Sequence, residues 1–233
     1  MENKPSKFIY DLYDIHKDKT MWIIGTGLSI NDFPENFFKD KISMALNGCA
    51  FRYPYVEYNI TVDPFWQKIM LEKKPEWIEK TIIVHSLGWG HSPFDTMKDL
   101  TSKVYWMYWK DGTSNRRDNN TEKLARKALN SIVKKENPID FFIAGTVAHF
   151  AIQACFLMGA KKIVLCGCEH EIFIEGRSHG DIKEYGDKPF SEMERMQIGT
   201  ILLTNLLKEH GVEVIRYFND DTPFYKKGYK EIE

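Results

Sequence analysis

The chain has 233 residues with 32 basic and 33 acidic side chains, a formal net charge of −1. At about 100–200 residues per domain, this length predicts one domain over residues 1–233. Its 43% apolar and 28% charged residues are typical of globular proteins and exclude a disordered or fibrous chain. The near-zero charge argues against a general nucleic-acid binder. No apolar run reaches the about 18–20 residues of a membrane span and no signal-peptide core is present, so we expect a cytoplasmic protein.

Apolar runs and helical patterns alternate along the chain. A short amphipathic helix is predicted over residues 9–16. Apolar runs bounded by turn residues predict seven strands, over 21–24, 42–46, 58–62, 81–84, 104–109, 162–166 and 212–217. Helical spacing predicts helices over 121–135, 146–158 and 191–210. This alternation predicts an α/β, Rossmann-like fold, a mostly parallel sheet with helices on both faces.

The residues that follow the predicted strands form the candidate site, because ligands bind at the carboxyl ends of parallel strands. These residues are Gly25, Thr26, Gly27 and Ser29; Asn47; Asp63; His85 and Ser86; Glu169 and His170; Asn219 and Asp220. Gly145 and Thr146 join them because they open the most apolar helix, and a helix N-terminus attracts anions.

Two of these motifs have a purely structural alternative. The turn at residues 25–27 lacks the third glycine of a dinucleotide fingerprint, since Ile30 stands there, and such a turn also occurs without a ligand. Thr146 is suited both to cap its helix and to donate to a phosphate or carboxylate, and one residue can do both.

The polar segment after the sixth strand predicts a lid over residues 171–190. Its His179, and His170 before it, are candidate general bases, and a solvated loop is the alternative. Metal ligation by Glu169, His170 and His179 is a further alternative, and we predict no metal site. The four cysteines lack the C-x2-C spacing of zinc sites and predict buried, reduced thiols.

Two further features concern binding surfaces. Aromatic residues make up 14% of the chain, and we expect those after strands or in loops to lie near a ligand: Trp66, Trp89, Trp106, Trp109 and Tyr185. A basic cluster, interspersed with acidic residues, predicts a solvated helix face, with an anionic acceptor or nucleic acid as alternative ligands: Arg116, Arg117, Lys123, Arg126, Lys127, Lys134 and Lys135.

Four segments together resemble the sialyltransferase-like Rossmann superfamily. They are the strand and turn at residues 22–29, the strand ending in Asn47, the strand followed by Asp63 and Pro64, and the helix–glycine–strand segment 145–170. This superfamily includes glycosyltransferase family 42 sialyltransferases, motility accessory factor proteins and 6-hydroxymethylpterin pyrophosphokinases. The match covers most of the chain in order.

The resemblance to sialyltransferases implies a cytidine-nucleotide sugar donor and no metal. It implies that residues 25–29, Asn47 and Asp63 line the nucleotide, with Thr146 near a carboxylate or phosphate of the donor. The family's base histidine aligns near residues 192–194, where this chain has no histidine. The base is therefore expected to be His170, His179 or Glu194.

The leading hypothesis is a glycosyltransferase that moves a sugar from a nucleotide-sugar donor, CMP-sugar favoured, to a glycan or other hydroxyl acceptor. The nucleotide sugar is a substrate, and no cofactor is required. One alternative is a Mg-dependent pyrophosphokinase of the pterin type, with carboxylates such as Asp63, Glu169 or Asp220 holding the metal. Another is a non-catalytic module that binds a nucleotide, a protein or nucleic acid. The sequence leaves the oligomeric state open, a homo-oligomer included.

Overall fold

Seven strands form one sheet at the centre of the structure. A computed structural model describes residues 7–53, 55–62, 66, 69, 72, 81–85, 104–107, 121–137, 139, 141–168 and 190–217, except for the side chains at 28, 32, 81–85, 104, 106, 121 and 190–194. The strands are β1 (Thr20–Ile24), β2 (Ser43–Leu46), β3 (Tyr58–Thr61), β4 (Thr81–His85), β5 (Val104–Met107), β6 (Lys162–Cys166) and β7 (Glu213–Arg216). The α-helices of this described part are α1 (Thr121–Val133), α2 (Val147–Leu157) and α3 (Phe190–Glu209).

The sheet is parallel throughout, in the order β5-β4-β3-β2-β1-β6-β7. Each strand and each of the three α-helices lies within two residues of its predicted bounds. The predicted α/β Rossmann-like fold is therefore confirmed. None of the described helices is both long enough and apolar enough to cross a membrane.

The predicted helix over residues 9–16 is wrong in type and length. The chain forms a 3₁₀ helix only over Ile9–Leu12 and then turns, with Asp14 in the left-handed region at φ 58°. Tertiary partners replace the helical hydrogen bonds, because the N–H groups of Asp14 and His16 donate to carbonyls at the end of α2, at 3.1 and 2.8 Å.

Strand side chains alternate between two apolar layers, as a sheet buried on both faces requires. Met21 and Ile23 of β1 pack in the layer that contains α1, α2 and α3, whereas Ile24 packs in the other layer. That second layer is covered by 3₁₀ helices, at Leu28–Asp32 and Asn47–Phe51, and by an aromatic cluster. The rings of this cluster include Trp22, Phe33, Phe37, Phe38 and Tyr53.

The direction of winding reverses between β1 and β6. From β1 the chain adds β2 to β5 on one side, and β6 then returns to pair with the other side of β1. Since parallel crossovers are right-handed, this reversal puts the connections before and after it on opposite faces. Such a switch point opens a crevice at the carboxyl ends of the two strands, where α/β proteins bind ligands.

Candidate functional site

The loops after β1 and β6 touch through their backbones at the switch point. The N–H of Gly25 donates to the carbonyl of Cys166 at 2.7 Å, and the N–H of Gly27 donates to the carbonyl of Gly167 at 2.8 Å. A Cβ at position 25 would overlap the carbonyl oxygen of Gly167 and lie 2.7 Å from Sγ of Cys168. Glycine at position 25 is thus required by the contact between the two loops.

This contact changes the expected roles of residues 25–29. The N–H groups of Gly25 and Gly27 are occupied by β6-side carbonyls, so they are not available to a phosphate. The N–H of Thr26 donates to no residue that the structure describes. Ser29 is 1% exposed, and its hydroxyl does not reach the surface of the crevice. Among residues 25–27, the N–H of Thr26 is therefore the backbone donor that remains for a ligand.

Asn47 follows β2 directly and has a left-handed backbone, with φ 50°. Its carbonyl accepts a hydrogen bond from Nδ2 of Asn59 at 2.9 Å, and its Oδ1 accepts one from Oγ1 of Thr61 at 3.1 Å. It lies half-buried at the same sheet edge as residues 25–27, because β2 and β1 are neighbours. Trp66 is only 4% exposed and packs against Gly48, so its ring lies in the protein interior next to Asn47, and its predicted position near a ligand stays a prediction.

Helix α2 begins at this same edge. Its C-terminal end leads into β6 through Gly159, so the helix runs antiparallel to β6 and its N-terminus lies at the carboxyl end of the sheet. Oγ1 of Thr146 accepts a hydrogen bond from the N–H of Ala148 at 3.2 Å. The predicted N-cap is thereby confirmed, and the hydroxyl keeps its own proton for a second partner.

Arg195 of α3 lies against Gly145, which directly precedes the N-cap of α2. A Cβ built at Gly145, whose φ is +91°, would lie 2.6 Å from Nη2 of Arg195. The guanidinium thus occupies the space that a side chain at position 145 would take. Two positive groups, the guanidinium and the positive end of the α2 dipole, therefore meet at one place. Both groups attract an anion that binds beside them.

His149 of α2 forms hydrogen bonds that connect the start of α2 with α3. Its Nδ1 accepts a hydrogen bond from the N–H of Ala144 at 2.9 Å, and its Nε2 lies 3.1 Å from the carbonyl of Met196 and 3.2 Å from Oγ1 of Thr200. The imidazole is fully buried, and this burial lowers its pKa to about 4, with the nearby charge of Arg195 acting in the same direction. His149 is therefore neutral, with the proton on Nε2.

Sequence reasoning missed Arg195 and His149. Both lie inside helices, where an arginine is usually solvated and a lone histidine in an apolar helix is usually a core residue. The one signal was the position of Arg195, which directly follows the segment where the family's base histidine aligns.

The remaining predicted site residues fall on parts of the chain or side chains that the structure does not describe. Asp63, Glu169, His170, His179 and Asp220 lie outside the described residues, as do Trp89, Trp109, Tyr185 and residues 171–189 of the predicted lid. Glu194 lies in α3, but its side chain is not described, and the same holds for His85 and Trp106 in their strands. No group of three His, Cys, Asp or Glu side chains that could hold a metal occurs among the described residues.

The basic cluster on α1 is partly neutralised by neighbouring carboxylates. Arg126 donates to Glu122 at 2.8 Å and to Glu209 at 2.7 Å, and Lys135 lies 2.8 Å from Asp14. All of these groups are exposed. The arrangement agrees with the predicted solvated face, while Arg116 and Arg117 lie outside the described residues.

Comparison with known proteins assigns no family. No protein-family model matches the chain. No curated protein matches it significantly either. The resemblance to the sialyltransferase-like superfamily therefore stays a prediction.

Proposed function

We propose that this protein is a glycosyltransferase that uses a nucleotide-sugar donor, with a CMP-sugar favoured. The observation that carries the proposal is a positive corner at the carboxyl edge of the sheet, where the guanidinium of Arg195 lies beside Gly145, just before the N-cap of α2. This corner suits the phosphate of a nucleotide or the carboxylate of an acidic sugar without a metal. The N–H of Thr26 and the side chain of Asn47 lie at the same edge and suit further contacts to the nucleotide.

In the proposed reaction, a base removes the proton of the acceptor hydroxyl, and the oxygen attacks the anomeric carbon of the donor. The bond from that carbon to the phosphate oxygen breaks, and its electron pair leaves with the nucleotide. Arg195, the N–H of Val147 at the start of α2 and the hydroxyl of Thr146 stabilise the negative charge that develops on this phosphate, since the N–H groups of Ala148 and His149 are bonded to Thr146. His170, His179 and Glu194 remain the proposed sources of the base.

Each alternative function predicts different ligands. A pyrophosphokinase needs Mg²⁺ held by carboxylates, and its candidates Asp63, Glu169 and Asp220 lie outside the described residues. No feature of the described residues favours the pyrophosphokinase over a glycosyltransferase in which Arg195, without a metal, neutralises the anion. A non-catalytic module would bind a nucleotide without turnover. We also propose a cytoplasmic location, which the burial of all four cysteine thiols supports.

We expect CMP to bind in the absence of metal and Arg195→Gln to weaken this binding at least about tenfold. The charge-assisted hydrogen bonds of the guanidinium are worth about 1.5–3 kcal/mol, and glutamine keeps much of the side chain while it loses the charge. Isothermal titration calorimetry with CMP, UDP and GDP measures the effect. Thermal unfolding of the variant verifies that it is folded.

Arg126→Gln is the matched control, because it removes an equal charge from the exposed face of α1 and should leave CMP affinity unchanged. Absence of binding for all three nucleotides at millimolar concentration would overturn the proposed function. Binding of ATP that depends on Mg²⁺, without binding of CMP, would instead support the pyrophosphokinase.

A further inference from the structure

Strand β3 carries two polar side chains in the interior of the sheet. Asn59 is 2% exposed and Thr61 is fully buried, although β3 lies between β2 and β4, where apolar residues are expected. Burial of an amide or hydroxyl group costs free energy unless it is hydrogen-bonded. These two residues therefore need a role that an apolar pair would not fulfil.

Both side chains donate to the same residue. Nδ2 of Asn59 donates to the carbonyl oxygen of Asn47, and Oγ1 of Thr61 donates to its side-chain Oδ1. One hydrogen bond thus holds the backbone of Asn47 and the other holds its amide. Asparagine adopts this left-handed conformation more readily than other residues with a Cβ, and the bond from Asn59 adds to what holds it there.

The bond from Thr61 determines which end of the Asn47 amide is available. Since Oδ1 accepts from the hydroxyl, Nδ2 is the end left for another partner. Nδ2 of Asn47 donates to none of the residues that the structure describes. Asn47 therefore offers hydrogen-bond donors at the carboxyl edge of the sheet, next to the turn after β1.

Asn59 is satisfied only on its donor side. Its Oδ1 is buried and accepts no hydrogen bond from the described part of the chain. A residue selected for the stability of the sheet alone would avoid such an unpaired acceptor, because leaving it unsatisfied costs about 1–3 kcal/mol. This loss of stability is explained if Asn59 is retained for its Nδ2, which donates the hydrogen bond that holds Asn47.

We propose that Asn59 and Thr61 are positioning residues that fix Asn47 with its amide N–H groups available to ligand. The ligand group that meets Asn47 is then a hydrogen-bond acceptor, a phosphate or carboxylate oxygen. This inference rests on the proposed function in taking that oxygen to belong to a nucleotide sugar. Neither Asn59 nor Thr61 needs to touch the ligand.

Thr61→Val tests the proposal, because it removes the hydroxyl and keeps the shape of the side chain. We expect its CMP affinity, measured by calorimetry, to fall about fivefold to tenfold, and Thr61→Ser to restore it. Thr204→Val is the matched control, since Thr204 is a buried threonine in α3 whose hydroxyl donates to the carbonyl of Thr200. Equal CMP affinity in wild type and folded Thr61→Val would overturn the inference.

A readout without nucleotide separates this inference from the proposed function. In ¹⁵N-labelled protein, the side-chain amide signals of Asn47 are identified by their loss in Asn47→Asp. We expect Thr61→Val, but not Thr61→Ser, to shift these signals and to speed their exchange with water. Unchanged signals in Thr61→Val would refute the positioning role even if CMP binds. If wild type binds no nucleotide, the proposed function fails while the amide signals still decide the positioning role.

Discussion

Gly25→Ala is expected to destabilise the protein by about 3 kcal/mol, although it adds a single methyl group. The new Cβ would overlap the carbonyl oxygen of Gly167 and lie 2.7 Å from Sγ of Cys168. The obstacle is largely backbone, which cannot rotate away as a side chain can. Retreat of the loop would also break the hydrogen bond from Gly25 to Cys166. The free energy of unfolding in urea, followed by circular dichroism, measures the loss.

Gly211→Ala is the matched control, because it separates steric overlap from conformational preference. Gly211 has a φ of +76°, and no described atom lies within 4 Å of the place that an alanine methyl group would take, so alanine there meets strain but no obstacle. We expect it to cost about 1 kcal/mol. A loss for Gly25→Ala no larger than this would contradict the contact between the β1 and β6 loops.

The strands and the edge that carries the site could be predicted from sequence, because both depend on local patterns. Apolar runs that end at Gly25, Asn47 or Gly167 indicate where buried strands stop, and the parallel fold then brings these ends together. The role of Gly25 could not be predicted in the same way. Its turn resembles a phosphate loop, and only the pairing of β1 with β6 shows that two of its N–H groups are occupied.

Contacts between side chains that lie far apart in the sequence could not be predicted. Arg195 and Gly145 lie on different elements, and nothing in either segment indicates that they meet. Asn59 and Thr61 appear as ordinary members of a strand until their hydrogen bonds to Asn47 are seen. Trp66 follows a strand, as a ligand-stacking residue would, yet it fills the space beside Gly48.

The second large expected effect is a loss of folding stability at acidic pH, which we attribute to His149. We expect the free energy of unfolding of wild type to lose about 3 kcal/mol through this residue as the pH falls from about 6.5 to about 4. Burial lowers the pKa of His149 to about 4 in the folded protein, against an ordinary value of 6.5. Between these values the unfolded chain binds the proton and the folded chain does not, so acid favours unfolding. Below about pH 4 both states are protonated and the loss levels off.

His149→Gln isolates this contribution, because glutamine can form hydrogen bonds but does not titrate. At pH 7.5 we expect the variant to be less stable than wild type, since it disturbs the bonds to Ala144 and Met196. Urea unfolding at a series of pH values should show this difference shrink by about 3 kcal/mol towards pH 4. Parallel curves for the two proteins would contradict a neutral, buried imidazole.

His16→Gln is the control for the acid effect, because His16 is the other described histidine whose pKa is lowered by burial. Its side chain is 14% exposed, its Nε2 lies 2.7 Å from the hydroxyl of Tyr58, and Glu57 at 3.8 Å favours the protonated form. The opposing charge makes its share of the acid loss smaller. A proton on His149 would instead add a second positive charge near Arg195 while Nδ1 faces the N–H of Ala144. We therefore expect His149→Gln to change the pH dependence of the free energy of unfolding more than His16→Gln does. A neutral His149 adds no further positive charge beside Arg195 and the N-terminus of α2.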